Sequence, residues 1–170
     1  MLSLFVAAAV GAAGGASPPN PLAMAEAGWI QCYRPDVENK TCRSIASYQR
    51  TGPGTYDNKA LIAASTDATL EIHTPVVIKN GAVCGFVRHQ DVIAGTLRIR
   101  GQILEPERAK PILERIAKAI APLAHDEICT TYESSGDEFS TKVSVGGTYR
   151  PDMDETGKWI DPKDGYTVSP

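Results

Sequence analysis

Four cysteines, Cys32, Cys42, Cys84 and Cys129, and three histidines, His73, His89 and His125, carry most of the chemical reach of this sequence. Thiols can pair as disulfides or ligate zinc. Zinc would require His125 and Cys129 to meet Cys32 and Cys42, but structural zinc sites are usually built on a C-x(2–4)-C knuckle, which is absent. An even count of cysteines after an apolar N-terminal run is instead the pattern of a disulfide framework. Of the three possible pairings, the expected one joins Cys32 to Cys42, pinning a local hairpin, and Cys84 to Cys129, tying a strand to the segment beyond a helix. No metal and no cofactor is expected.

Hydrolysis by a nucleophile needs Ser or Cys beside a base and an orienting acid. Glu71, Asp91 and Asp126 lie close in sequence to the three histidines, as chance alone would place them. There is no G-x-S-x-G elbow, Walker loop, H-E-x-x-H or G-x-G-x-x-G. Asp152, Asp154, Thr156 and Gly157 imitate the start of a calcium loop, but its twelfth position is Lys163 and no helices flank it, so an acidic solvated turn is the better reading. Arg98 and Arg100 fall on the polar face of an expected strand, with Arg88 and His89 just upstream on a strand that could pair with it. Guanidinium forks so placed form a candidate anion site, against the plainer reading of a solvated sheet face. Trp29, Tyr33, Tyr48 and Tyr56 read as packing aromatics rather than a ligand platform.

The elements that must position these residues are mostly strands. Residues 29–33 and 41–48 form a plausible hairpin, and residues 61–64 and 70–72 are extended around a polar turn. Val76 to Lys79 and Ala82 to Val87 flank Asn80-Gly81, the dipeptide favoured in type I′ hairpins. Residues 96–104 alternate with a period of two, which predicts one strand with Leu97, Ile99 and Ile103 on one face and Arg98, Arg100 and Gln102 on the other. An amphipathic helix follows, from Pro106 or Lys110 to about Ala121, with Ile112, Leu113, Ile116, Ala117 and Ile120 on its apolar stripe. Residues 128–132 and 139–145 predict another hairpin, and Trp159-Ile160 with Tyr166 to Val168 a last small one. Strands on both sides of one good helix predict an α+β class, a mostly antiparallel sheet of hairpins packed on that helix and stapled by disulfides.

The 170 residues suit a single domain, and a formal charge of -3 gives no reason to expect nucleic acid as a partner. Apart from Ser3, residues 2–13 are apolar or Gly, a run too short to span a bilayer and followed by Ser17-Pro18-Pro19-Asn20-Pro21. They read as a secretory signal rather than a transmembrane anchor, although no Lys or Arg precedes them. The expected cut follows Ala25, with Ala16 as the alternative, leaving a mature domain of residues 26–170. The competing reading is a buried Ala-rich helix, which Gly11, Gly14 and Gly15 disfavour. No resemblance to a known family carries residues across. The expectation is therefore an exported, periplasmic or secreted, non-enzymatic binding module whose partner is another envelope protein or polymer. The alternatives are a small exported hydrolase with a His and carboxylate site, and a purely structural envelope domain.

Overall fold

The computed structural model describes residues 19–170. The apolar run at residues 2–13 and the alternative cut after Ala16 lie outside the described residues. The described residues form thirteen strands: β1 (Ile30–Tyr33), β2 (Thr41–Cys42), β3 (Ser44–Gly52), β4 (Thr55–Ser65), β5 (Ala68–Lys79), β6 (Ala82–Gly85), β7 (Thr96–Ile99), β8 (Gln102–Ile103), β9 (Ile128–Ser135), β10 (Glu138–Val145), β11 (Thr148–Tyr149), β12 (Thr156–Ile160) and β13 (Thr167–Val168). Three α-helices accompany them: α1 (Ala23–Glu26), α2 (His89–Ile93) and α3 (Pro106–Ile120).

Eight of these strands close on themselves in the order β1-β3-β4-β5-β6-β9-β10-β12, every pair antiparallel, with β12 returning to β1. The expected α+β class is thereby corrected to a closed, mostly β barrel. The helix is real but packs at one end of the barrel rather than under an open sheet. Closure depends on Ile30 meeting Ile160 and Gln31 meeting Trp159, a pairing between distant segments that no local pattern announces. Closing the sheet also removes its open edges, which relieves the exposure of unpaired backbone groups.

The hairpin at Asn80-Gly81 forms as expected, with positive φ of 51° and 78° at the two turn residues. The alternating run at residues 96–104 does not form one strand. It folds as the hairpin β7–β8, turning at Arg100 and Gly101, both with positive φ. A two-residue turn reverses the side-chain parity, so Ile103 pairs opposite Arg98 and is exposed. The predicted C-terminal hairpin is also absent: β12 lies between β1 and β10, and β13 runs parallel to β2.

Both expected disulfides are present. Cys32–Cys42 lies in a small apolar cluster with Ile160, while Cys84–Cys129 joins directly opposed residues of β6 and β9 with a Cα separation of 4.1 Å.

Strand parity sorts the side chains into an apolar interior and a charged exterior. Tyr56, Val76, Val83, Phe139 and Trp159 point inward at one end, where Leu22 and Ala25 from the N-terminal segment complete a buried cluster. Gly157 is needed there, because a Cβ would lie 2.2 Å from the Phe139 ring. Toward the other end, α3 packs Ala109, Leu113 and Ala117 against Leu70 and Ile72 of β5, Val92 of α2 and Leu97 of β7. Facing out are Asp57, Lys59, Glu71 and His73 at mid-strand, the reverse of the apolar outer band of a lipid-facing barrel. Among the described residues no helix is long and apolar enough to cross a membrane.

Candidate functional site

The inner face of the barrel borders a partly open cavity of about 350 Å³. Its walls are the inward positions of successive strands, including Ala46, Ala60, Ile72, Val76, Val83 and Val143. Small residues on β3 and β4 leave the space open. Bulky ones there would fill a barrel of eight strands, whose interior is just wide enough for side chains or one small ligand. Phe86, Val87, Met153 and Glu155 also border the cavity, and Phe86 is itself exposed.

Three tyrosines line one part of the wall and pack at the same time on the buried aromatic cluster around Phe139. The rings of Tyr33 and Tyr132 meet Phe139 edge-on at centroid distances of 5.4 and 5.6 Å, a favoured geometry for aromatic pairs. Their hydroxyls converge with that of Tyr48. Tyr33 donates to Gln31 Oε1 at 2.9 Å and Tyr48 donates to the same oxygen at 3.0 Å. The Tyr132 oxygen lies 3.3 Å from Tyr33 Oη and 3.4 Å from Tyr48 Oη, longer than the usual O–H···O separation. Gln31 is fully buried, and its Nε2 has no hydrogen-bond partner.

Burial pushes the Tyr33 hydroxyl well above its ordinary pKa of 10.0, with the neighbouring Tyr132 and Tyr48 adding to the effect. Burial followed by Tyr132 does the same to Tyr48. Both are held as neutral phenols. The folded state therefore keeps these protons more tightly than the unfolded chain, in which tyrosine titrates near 10. Stability is intact below about pH 10 and falls above it, by up to about 1.4 kcal/mol per pH unit for each tyrosine. A titration followed by phenolate absorbance and far-ultraviolet circular dichroism should show these tyrosines ionising together with unfolding. Smooth ionisation near pH 10 of a barrel that stays folded would contradict the buried cluster.

The candidate anion site is not assembled by the fold as the sequence suggested. Arg88 precedes α2 rather than lying on a strand, and it grips Asp91 through Nε and Nη2 at 2.8 and 2.7 Å. Arg98 pairs with Glu71 at 3.3 Å, and Arg100, in the β7–β8 turn, with Asp67 at 3.4 Å. Each guanidinium has a carboxylate of its own. The histidines are dispersed over the outside: His73 meets Asp57 at 2.7 Å, His89 in α2 meets Glu114 of α3 at 3.3 Å, and His125 sits in the exposed turn before β9. None of them lines the cavity. Cys84 and Cys129 lie close to Glu127, but both thiols are spent in their disulfide. The acidic tail turn is likewise satisfied internally, with Asp152 on Arg150 and Asp154 accepting from Tyr149 and the Val143 amide.

Sequence reasoning assigned Tyr33 and Tyr48 to packing. They do pack, and they also line the cavity. Tyr132 was not singled out at all. The available signal was the alternation of polar or aromatic residues with small ones on the same strand face, as in Ser44, Ala46 and Tyr48. Compared with known proteins, the chain matches no family model, no curated protein and no solved structure. What the fold defines is a class by architecture alone: an antiparallel barrel with a mainly apolar cavity on its inner face and a cluster of half-buried phenols.

Proposed function

We propose that this protein is an exported binding module that carries a small, largely apolar molecule inside its barrel. The observation that carries the reading is the unfilled inner face of the barrel: a partly open cavity of about 350 Å³. Ligand sites are commonly concave, mostly apolar and furnished with a few convergent polar groups, and this cavity has that composition. Two disulfides support export to an oxidising compartment, where such bonds persist. The cavity favours a small molecule over a polymer as the thing bound. A hydrolytic role finds less support, since Ser44 borders the cavity with no histidine among its neighbours in the lining.

A neutral fluorophore tests the reading. N-phenyl-1-naphthylamine should bind the purified domain with a blue-shifted, saturable fluorescence increase at a stoichiometry of one. Ala60→Trp places an indole in the cavity and should weaken that binding by on the order of tenfold or more while leaving the two disulfides and the fold intact. Fluorescence that is unsaturable, or unchanged in the folded variant, would place the probe elsewhere and contradict a ligand-binding lumen.

A further inference from the structure

We propose that the cavity selects uncharged ligands that carry a hydroxyl or carbonyl group on an apolar body, read by the hydroxyls of Tyr33, Tyr48 and Tyr132. The inference rests on the lumen being a ligand site. It goes further by naming what the ligand must carry.

The charge argument comes first. None of the residues lining the cavity is Lys, Arg or His. An anionic head group would leave water without meeting a countercharge, and a buried unpaired charge is strongly disfavoured. The one carboxylate in the lining, Glu155, is engaged by Arg34 Nε at 3.0 Å. A cation would thus compete with an ion pair already formed. The remaining polar lining consists of neutral groups: tyrosine, serine and threonine hydroxyls and the Asn58 amide.

The hydrogen-bond count then narrows the class. Tyr33 and Tyr48 both spend their protons on Gln31 Oε1, which leaves their oxygens as acceptors. Tyr132 is left as the donor in its contacts with Tyr33 and Tyr48, which at 3.3 and 3.4 Å are long enough for a ligand oxygen to take over its proton at a shorter distance. A ligand hydroxyl can accept from Tyr132 and donate to Tyr33 or Tyr48, and a carbonyl can accept from Tyr132 alone. Gln31 is the positioning residue: buried between Trp159 and Ala46 on the neighbouring strands, it fixes where two of the three hydroxyls lie. The raised pKa values of Tyr33 and Tyr48 keep these two hydroxyls uncharged across the ordinary pH range.

The test displaces N-phenyl-1-naphthylamine from the intact domain at pH 8 with three probes sharing one chain: 1-octanol, octanoate and octyltrimethylammonium. The expected result is 1-octanol displacing at least about tenfold more tightly than either charged probe. In Tyr132→Phe, the preference for 1-octanol should shrink to within about threefold, with saturable binding of the fluorophore at a stoichiometry of one reporting an intact lumen. Tyr149→Phe, on an exposed residue, should leave every value unchanged. Equal displacement by all three probes, tighter binding of either charged one, or an undiminished preference in Tyr132→Phe overturns the selectivity while leaving the lumen a binding site. Failure of the wild-type domain to bind the fluorophore or any probe overturns both.

Discussion

Leu22→Ala is expected to lower the free energy of unfolding by about 3 kcal/mol, within the usual range for a buried leucine cut back to alanine. Leu22 has no exposed surface and joins Tyr56, Val76, Val83, Phe139 and Trp159 in the cluster that closes one end of the barrel. The short segment that carries it is tied down on both sides. The Leu22 amide donates to Asn20 Oδ1 at 2.9 Å, and the Tyr56 hydroxyl donates to Glu26 Oε1 at 2.7 Å. A chain beginning at Glu26 loses the plug altogether and should be destabilised at least as much as Leu22→Ala, whereas one beginning at Ser17 retains it. Urea denaturation of the three proteins, compared by midpoint at constant slope, measures the difference. Equal midpoints for chains starting at Ser17 and Glu26 would mean that the segment contributes nothing to closing the barrel. The result bears on the proposed processing, since a cut after Ala16 leaves the seal in place and a cut after Ala25 takes Leu22 and Ala25 with it.

The second large effect belongs to Cys84–Cys129. The double variant Cys84→Ser/Cys129→Ser should lose about 4 kcal/mol by the loop-entropy argument, against about 3 kcal/mol for Cys32→Ser/Cys42→Ser, whose loop is shorter. The separations are 45 and 10 residues. Position reinforces the ranking. The β6–β9 seam is only three residue pairs long, Val83 with Thr130, Cys84 with Cys129 and Gly85 with Ile128, and the excursion through α2, β7, β8 and α3 separates its two strands in the chain. The bond therefore holds the barrel shut at one of its three shortest seams, since β1–β3 and β10–β12 also meet over three residue pairs. Thermal melts of both double variants, with the absence of free thiols in the parent protein confirmed by mass, provide the comparison. A smaller loss for the long-range pair would show that the β6–β9 seam closes without it.

Local signals in the sequence were sufficient for the β5–β6 and β9–β10 hairpins, for α3 and its apolar stripe, and for both disulfides. Asn80-Gly81 is the clearest case, because few residue pairs accept two consecutive positive φ values. Arg100-Gly101 makes the same kind of turn, yet an arginine there reads as the continuation of an alternating strand, and the turn was missed. Barrel closure was out of reach for a different reason. The pairing of β1 with β12 depends on the summed twist and length of eight strands, and neither Trp29-Ile30 nor Trp159-Ile160 specifies its partner locally. Once closure is missed, an amphipathic helix among strands looks like the cover of an open sheet. The cavity was hidden with it: Tyr33, Tyr48 and Tyr132 lie on three strands far apart in the chain, and their convergence on and around Gln31 is a property of the closed barrel. The arginines show the opposite limit, since spacing suggested a shared anion site where the fold supplies Asp91, Glu71 and Asp67 as separate partners.

Native mass spectrometry of the protein recovered from its own cells without denaturation tests the central claim most directly. The account predicts a disulfide-bonded chain carrying one small neutral molecule, released on unfolding and absent from Ala60→Trp prepared in the same way. A chain that is always empty, and whose melting temperature does not respond to an extract of its native compartment, would contradict a barrel built to carry a ligand.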